Sequence, residues 1–269
     1  MTESRAFDAT RFRKTLTTET FGRNLIFEPS IGSTMDLARD AAAHDAPEGT
    51  VAFADEQTAG RGRLGRTWLT PPATNIAATL LLRPAHQILR EIAMIAPLAV
   101  AHAIEDVAGI RPDIKWPNDV QIAGKKVSGI LIEVPQPPTP SSASSGGEPG
   151  VVLVGTGINV NFDPRHIDEI RDIATSLSVE AGREIDREAL LAVYLVHFER
   201  LYVEVKAGGS IRDRWRDRLI TIGESVRAAW TGGSAEGTAE DVDADGALLI
   251  RGSSGTLTRV EAGDVTLRS

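Results

Sequence analysis

The sequence predicts an α/β (α+β) domain with a mixed, mostly antiparallel sheet and packed helices, followed by a small β-barrel. Two observations carry this reading. From Leu25 to Lys206, short apolar runs of strand character alternate with helical stretches, as layered α/β folds require. After about Leu219 the texture changes to short strands and tight turns. With 269 residues, 42% of them hydrophobic, the chain can bury one sizeable core and still furnish a small second domain. The expected division is 1–219 and 220–269.

Residues 1–24 carry mixed charge, and Phe7, Phe12 and Leu16 fit one short helix packed on the body. Leu25–Phe27 reads as a strand, and Ser33-Thr34 as the cap of a helix running through Asp36 to Ala43. Thr50–Ala54 is a second strand, leading to Gln57 and a glycine-rich loop; Asn75–Leu82 is a longer one. Ile88–Val107 is alanine-rich and helical, with Pro97 expected to kink or interrupt it. Ile114–Ile122 and Val127–Val134 read as paired strands about a turn at Ala123-Gly124, with Gly150–Val160 beside them. Pro135–Pro149 consists largely of Pro, Ser, Gly and Thr and reads as a surface excursion between strands. Asp186–Lys206 is an amphipathic helix with Leu190, Val193, Tyr194, His197 and Leu201 on one stripe, ended at Gly208-Gly209. The barrel strands are Ser225–Trp230, Gly237–Asp241, Ala247–Arg251, Thr256–Val260 and Asp264–Leu267, with Asp245-Gly246 as a hairpin signal. About 50 residues is small for an independent core, so the barrel is expected to lean on the body.

A net charge of -8 argues against a general nucleic-acid-binding surface, whose affinity rests on neutralising phosphates. The absence of cysteine excludes disulfides, thiolate metal sites and a cysteine nucleophile. Met1–Thr20 has no apolar run, so neither a signal peptide nor a membrane span is expected, and cytoplasm is the default location. No Gly-x-x-x-x-Gly-Lys-Ser/Thr loop is present, the five histidines lack metal spacing, and Ser128 lacks the setting of a nucleophile elbow.

The most informative stretch is Gly60-Arg61-Gly62-Arg63-Leu64-Gly65-Arg66-Thr67-Trp68. Glycine permits close backbone approach to a ligand, and guanidinium groups bind phosphate or carboxylate. Three arginines this close repel one another, so an anion should order the loop. An exposed basic turn, or an Arg-Gly segment that binds RNA, is the competing interpretation.

Further motifs bear on that choice: Gly32-Ser33-Thr34-Met35 and Gln57-Thr58-Ala59 upstream, then Lys115-Trp116-Pro117-Asn118-Asp119-Val120, Lys125-Lys126-Val127-Ser128-Gly129 and Gly155-Thr156-Gly157-Ile158-Asn159. In this order and spacing they closely resemble the biotin protein ligases, from about Ser33 to the C-terminus. Lipoate ligases share the fold but look unlike this chain in the arginine loop and the Lys-Trp-Pro-Asn-Asp box. The resemblance implies a C-terminal SH3-like barrel, biotin and ATP as substrates, Mg²⁺, and a biotin carboxyl carrier protein as acceptor. It implies activation of biotin as biotinyl-5′-adenylate, then transfer to one carrier lysine. Many members carry an N-terminal DNA-binding domain for which too few residues precede Ser33, so no repressor function is expected; monomer and homodimer both remain open.

By the same resemblance, Ser33, Thr34 and Gln57 contact the ureido ring, although Ser33 also suits a helix cap and Gln57 a polar surface. Met35 stands where the family pattern has asparagine. Gly60, Arg61, Gly62 and Arg63 wrap the carboxylate and α-phosphate, and Arg66 reaches the pyrophosphate. Trp68 is either an adenine platform or a buried core aromatic. Lys126 beside Gly129 polarises the carboxylate and α-phosphate, Lys115 serves the leaving phosphates, and Asp119, supported by Asn118, holds Mg²⁺ or takes a proton. Asn159 is the adenosine-side partner. The rival readings are a lipoate-type ligase and a non-catalytic biotin sensor.

Overall fold

The computed structural model describes residues 5–135 and 150–267; apart from Pro135, the excursion expected at 135–149 lies outside them. The element order is α1 (Ala9–Thr15), β1 (Leu25–Ile31), α2 (Thr34–Ala43), β2 (Val51–Gln57), β3 (Ile76–Leu82), α3 (Ile92–Ala108), β4 (Asp113–Lys115), β5 (Asp119–Ile122), β6 (Lys125–Glu133) and β7 (Val152–Ile158). It continues with α4 (Leu177–Ala181), α5 (Arg187–Lys206), α6 (Arg212–Arg216), β8 (Ser225–Trp230), β9 (Gly233–Val242), β10 (Leu248–Arg251), β11 (Leu257–Val260) and β12 (Asp264–Leu267).

The first seven strands form one sheet in the order β1-β2-β3-β7-β6-β5-β4. Only β1 and β2 are parallel, as a β-α-β unit whose crossover is α2. Side chains alternate across a strand, and the central strands are buried on both faces, which is why β3 reads as an unbroken apolar run. Val51, Phe53, Leu80, Leu82 and Val154 join the large core with α3 and α5, whereas Ala52, Leu81 and Leu153 meet Met35 and Ala38 of α2.

The predicted short N-terminal helix is α1, with Asp8 capping Thr10 and Arg11, Phe12 fully buried, and Phe7 and Leu16 buried on either side. Pro97 lies inside α3 without ending it, and the helix starts at Ile92 rather than Ile88. The single strand expected over Ile114–Ile122 is two, β4 and β5, paired antiparallel about Trp116-Pro117-Asn118, because Pro117 has no N–H to give to a ladder. Gly155-Thr156-Gly157 lies within β7, as the strand expected over Gly150–Val160 requires. His197 of α5 is largely buried, 17% exposed, with its Nε2 2.7 Å from Asp106 Oδ2 and its ring beside His102 of α3.

The C-terminal strands form an antiparallel sheet in the order β11-β10-β9-β8-β12, with Val226, Ala228, Ala239, Val242, Leu248, Ile250, Val260 and Val265 buried within it. Asp245-Gly246 lies at the β9–β10 turn as the dipeptide predicts. This unit leans on the body through Trp116, whose backbone N–H donates to Thr221 Oγ1 (3.0 Å) and whose indole Nε1 donates to the Gly246 carbonyl (2.9 Å). The Ile114 N–H to Arg218 carbonyl bond (2.8 Å) and the Ile220 N–H to Ile114 carbonyl bond (3.0 Å) fasten the same seam.

One ion pair ties the N-terminal segment to α5. Arg187 donates to Asp55 Oδ1 at 2.7 Å and to the carbonyls of Asn75 and Arg5, while Asp55 Oδ2 accepts from the Phe7 N–H. Both side chains are buried, 4% and 7% exposed. Arg187→Met is therefore expected to cost about 3–5 kcal/mol of unfolding free energy, since it leaves a buried carboxylate uncompensated. Denaturant titration checks this, and adding Asp55→Asn should recover part of the loss.

Candidate active site

On the α2 face of the sheet, register places Ala77 opposite Gly157, Gly157 opposite Gly129, Gly129 opposite Asp119, and Asp119 opposite Lys115. One row across five strands thus runs from small residues to charged ones. The two glycines make a floor on which the Trp68 indole rests. A β-carbon at residue 157 would lie 2.3 Å from Trp68 Cε2, and one at residue 129 would lie 3.3 Å from Trp68 Cζ3. Trp68 Nε1 is shielded and has no hydrogen-bond partner among the described residues.

Lys126 reaches this floor because of an irregularity in its strand. In a regular strand, residues three apart point to opposite faces. Between β5 and β6 the register shifts, so that Val120 pairs with Ser128 but Gln121 with Lys126. The bulge turns Lys126 onto the face of Gly129, where a β-carbon would sit 2.9 Å from Nζ, while Val127 joins the core. Lys126 Nζ lies 2.6 Å from Asp119 Oδ1 and 5.6 Å from the centre of a Trp68 ring. Lys125 points away and donates to the Arg171 carbonyl at 3.1 Å.

Around this row lies a cleft of about 450 Å³. Its walls include every site residue read from the sequence except Gly60. Gly60 shapes the loop instead: its carbonyl accepts from the Trp68 N–H at 3.0 Å, and a β-carbon there would meet the Trp68 carbonyl oxygen at 2.3 Å.

At one end a polar cluster is already connected. Ser33 caps α2 by accepting from the Met35 N–H at 3.3 Å, and Gln57 Oε1 accepts from the Thr34 N–H (2.9 Å) and Thr34 Oγ1 (3.1 Å). Thr79 Oγ1 donates to Thr34 Oγ1 at 2.9 Å, and Gln57 Nε2 donates to Thr70 Oγ1 at 3.3 Å. Met35 is buried, packing with Ala38, Ala52, Leu81 and Leu153; its thioether lies where a β-carbon on Gly155 would be only 2.9 Å away.

The arginine loop is a tight hairpin across the cleft mouth. Arg61 and Thr67 form an antiparallel bridge, Gly62 N–H donates to the Arg66 carbonyl at 2.7 Å, and Leu64 sits exposed at the tip with φ of 56°. Each guanidinium is held by protein oxygen. Arg61 binds Asp36 bidentately at 2.7 and 2.8 Å; its hydrogen bond first, aided by Arg39 against the upward push of burial, holds the Asp36 carboxyl below its usual value. Arg63 donates to Asn118 Oδ1 (2.6 Å) and the Gly263 carbonyl (2.8 Å), and burial pulls its guanidinium down from its ordinary value. Arg66 pairs with Asp264.

Three residues read from the sequence have partners within the protein. Asp119 is paired with Lys126, and no cluster of three or more His, Cys, Asp or Glu side chains fit for a metal occurs among the described residues. A lone carboxylate here suits a Mg²⁺ held chiefly by substrate phosphates rather than by a protein cage. Asn159 lines the cleft, with Nδ2 donating to the Thr175 carbonyl at 3.0 Å and Oδ1 accepting from Asn75 Nδ2 at 3.5 Å. Asn118 supports Arg63 rather than Asp119, and its Nδ2 donates to the Ile130 carbonyl at 2.5 Å. Sequence reading missed Asp36, Gly263 and Asp264, whose roles arise from contacts across 25 to 200 positions and have no local signal.

Cations converging from separate segments on a glycine-floored groove with a polar far end suit the joining of two anions, the chemistry of acid-activating ligases. Comparison with known proteins narrows the class. Residues 27–145 match the model of the biotin/lipoate A/B protein ligase family, and residues 221–268 that of the biotin protein ligase C-terminal domain. The bifunctional ligase/repressor BirA of Bacillus subtilis is 37% identical over 257 residues, spanning 94% of this chain and 76% of the relative. The biotin--[acetyl-CoA-carboxylase] ligase of Paracoccus denitrificans is 37% identical over 213 residues, or 76% of this chain and 84% of its own length. The Aquifex aeolicus biotin protein ligase solved with biotin and ATP superposes with a TM-score of 0.76 at 30% identity, covering 91% of this chain and 99% of that one. The chain belongs to the biotin protein ligase family.

Proposed function

We propose that the protein joins biotin and ATP into biotinyl-5′-adenylate in this cleft and passes the biotinyl group to a lysine of the carrier protein of a biotin-dependent carboxylase. The observation that carries this reading is Lys126, aimed by the bulge over Gly129 and set against Asp119 and Trp68. In this reading residues 1–219 bind the substrates, and the barrel at 220–269 completes the rim.

A biotin carboxylate oxygen attacks the α-phosphorus, the bond from that phosphorus to the bridging oxygen of the β-phosphate breaks, and pyrophosphate leaves with the electron pair. Two anions must approach, so the barrier is electrostatic and positional. The Ser33–Thr34–Gln57 cluster holds the ureido ring and fixes where the carboxylate falls. Lys126 meets carboxylate and α-phosphate together, taking up negative charge as it grows on phosphorus. Trp68, level on its glycine floor, offers an aromatic face to the adenylate. Arg61 and Arg63 exchange protein oxygens for substrate oxygens, and Lys115 and Arg66 face the departing phosphates. In the second step the carrier lysine amine attacks the acyl carbon, AMP leaves, and Asp119 accepts the amine proton. Mg²⁺ held by the nucleotide's phosphates would neutralise part of their charge.

The test is pyrophosphate exchange into ATP by the purified protein with Mg²⁺, with biotin, with lipoate and with neither. Exchange that requires biotin is expected. Exchange driven by lipoate alone would identify a lipoate-type ligase, and biotin binding without exchange would identify a sensor.

A further inference from the structure

Two carboxylates, Asp119 and Asp264, line the cleft and a third, Asp36, pairs with Arg61 of its wall, so that each holds a cation that the reaction gives to substrate. Asp264 stands apart because it belongs to the barrel. It opens β12, an outer strand of that sheet, and the residue before it gives its carbonyl to Arg63 at 2.8 Å. The backbone there is closely seated, since a β-carbon at Gly263 would lie 2.7 Å from the Ala229 carbonyl oxygen. Burial pushes the Asp264 carboxyl up, but the hydrogen bond and charge of Arg66, with Lys115 and Arg63 behind it, hold it below its ordinary value. A carboxylate thus sits among Arg63 and the two cations, Lys115 and Arg66, that face the leaving phosphates in the ligase reading.

We propose that Asp264 is a positioning residue, the resident counter-anion of Arg66, which fastens the arginine loop to the barrel whenever polyphosphate is absent. ATP takes Arg66 from Asp264, and departure of pyrophosphate gives it back. The loop is therefore latched during the interval when the cleft holds only the adenylate, the species most in need of shielding from water. The exchange has two consequences of opposite sign. Asp264 competes with ATP for Arg66, so it weakens nucleotide binding, and it slows escape of the finished adenylate. A residue with a merely structural role would not move these two quantities in opposite senses.

This inference rests on the ligase reading, and the experiment separates the two. The full chain and its Asp264→Asn and Asp264→Glu variants are compared. Amide hydrogen exchange of residues 61–67 is followed in the free protein and with inorganic pyrophosphate. Biotinyl-adenylate released to solution without acceptor, and KM for ATP, are measured alongside. For Asp264→Asn the expected results are faster loop exchange in the free protein, about threefold to fivefold more adenylate released, and a KM for ATP lower by a similar factor, the range a half-exposed ion pair supports. Asp264→Glu should retain the loop protection. Loop exchange equal to wild type, or a raised KM for ATP, overturns the latch. Absence of biotin-dependent exchange in the wild type overturns the ligase reading instead, and the hydrogen-exchange comparison still decides the latch.

Discussion

Replacing Lys126 by alanine lowers biotin-dependent pyrophosphate exchange by about 100- to 1,000-fold, the usual loss when one positioned donor to a developing oxyanion is removed. Biotin binding is expected to fall far less, because the proposed ureido contacts, Ser33, Thr34 and Gln57, lie in the connected polar cluster at the other end of the cleft. The variant should fold, since the Lys126 side chain is about one-third exposed and its backbone bonds to Ile173 and Thr175 do not depend on it. It also frees Asp119, so a Lys126→Ala, Asp119→Asn double variant separates loss of the cation from the added negative charge. Isothermal titration with biotin, run beside the exchange assay, measures both quantities. A variant that keeps full exchange removes Lys126 from the reaction.

The second large effect is expected from a single methyl group. Gly157→Ala places a β-carbon at 2.3 Å from the Trp68 ring, in contact with aromatic carbon that cannot yield by rotating a flexible tail. The indole must rise from the floor, and with it the backbone that carries Arg66 and Arg63. Displacements of about 1 Å in a preorganised site cost on the order of 100-fold in rate. The strand itself accepts alanine, since Ala77 sits directly opposite in β3. Exchange kinetics should therefore fall by about that factor while the thermal midpoint moves little. A matching loss of thermal stability would assign Gly157 to folding rather than to the site.

Much of the fold was legible because its signals are local. The strands β8 and β12 begin and end where alternation and turns place them, and Ser33 caps α2 as its side chain suggests. Legibility ended where a local signal is absent or has two meanings. Gly155 and Gly157 carry no local sign of their purpose inside a strand: they lack side chains because Met35 and Trp68 occupy the space above them. Pro117 reads as a residue inside a strand, but a proline there divides one strand into two. His197 fits the apolar stripe of α5 by spacing and is largely buried, but its ring is turned to the Asp106 carboxylate rather than to apolar neighbours alone.

The cleft was legible as a set of residues and illegible as an arrangement. Residue types in Gly60–Trp68 announce an anion, and all three arginines border one cavity. Their unliganded partners, Asp36 on α2 and Gly263-Asp264 on the barrel, depend on how distant segments pack. The same holds for Trp116: amid the Lys-Trp-Pro-Asn-Asp box, it turns away from the chemistry to fasten Thr221 and Gly246.

The bulge in β6 means that the identity of the reactive cation is set by counting rather than by chemistry. Two lysines stand side by side at 125 and 126, equal in charge and reach, and one extra residue in the ladder decides which of them enters the cleft. Inserting one residue between Val120 and Gln121, opposite Val127, would restore regular alternation and bring Lys125, four positions from Gly129, to the cleft face in place of Lys126. Such a change would exchange the places of two identical side chains without substituting either.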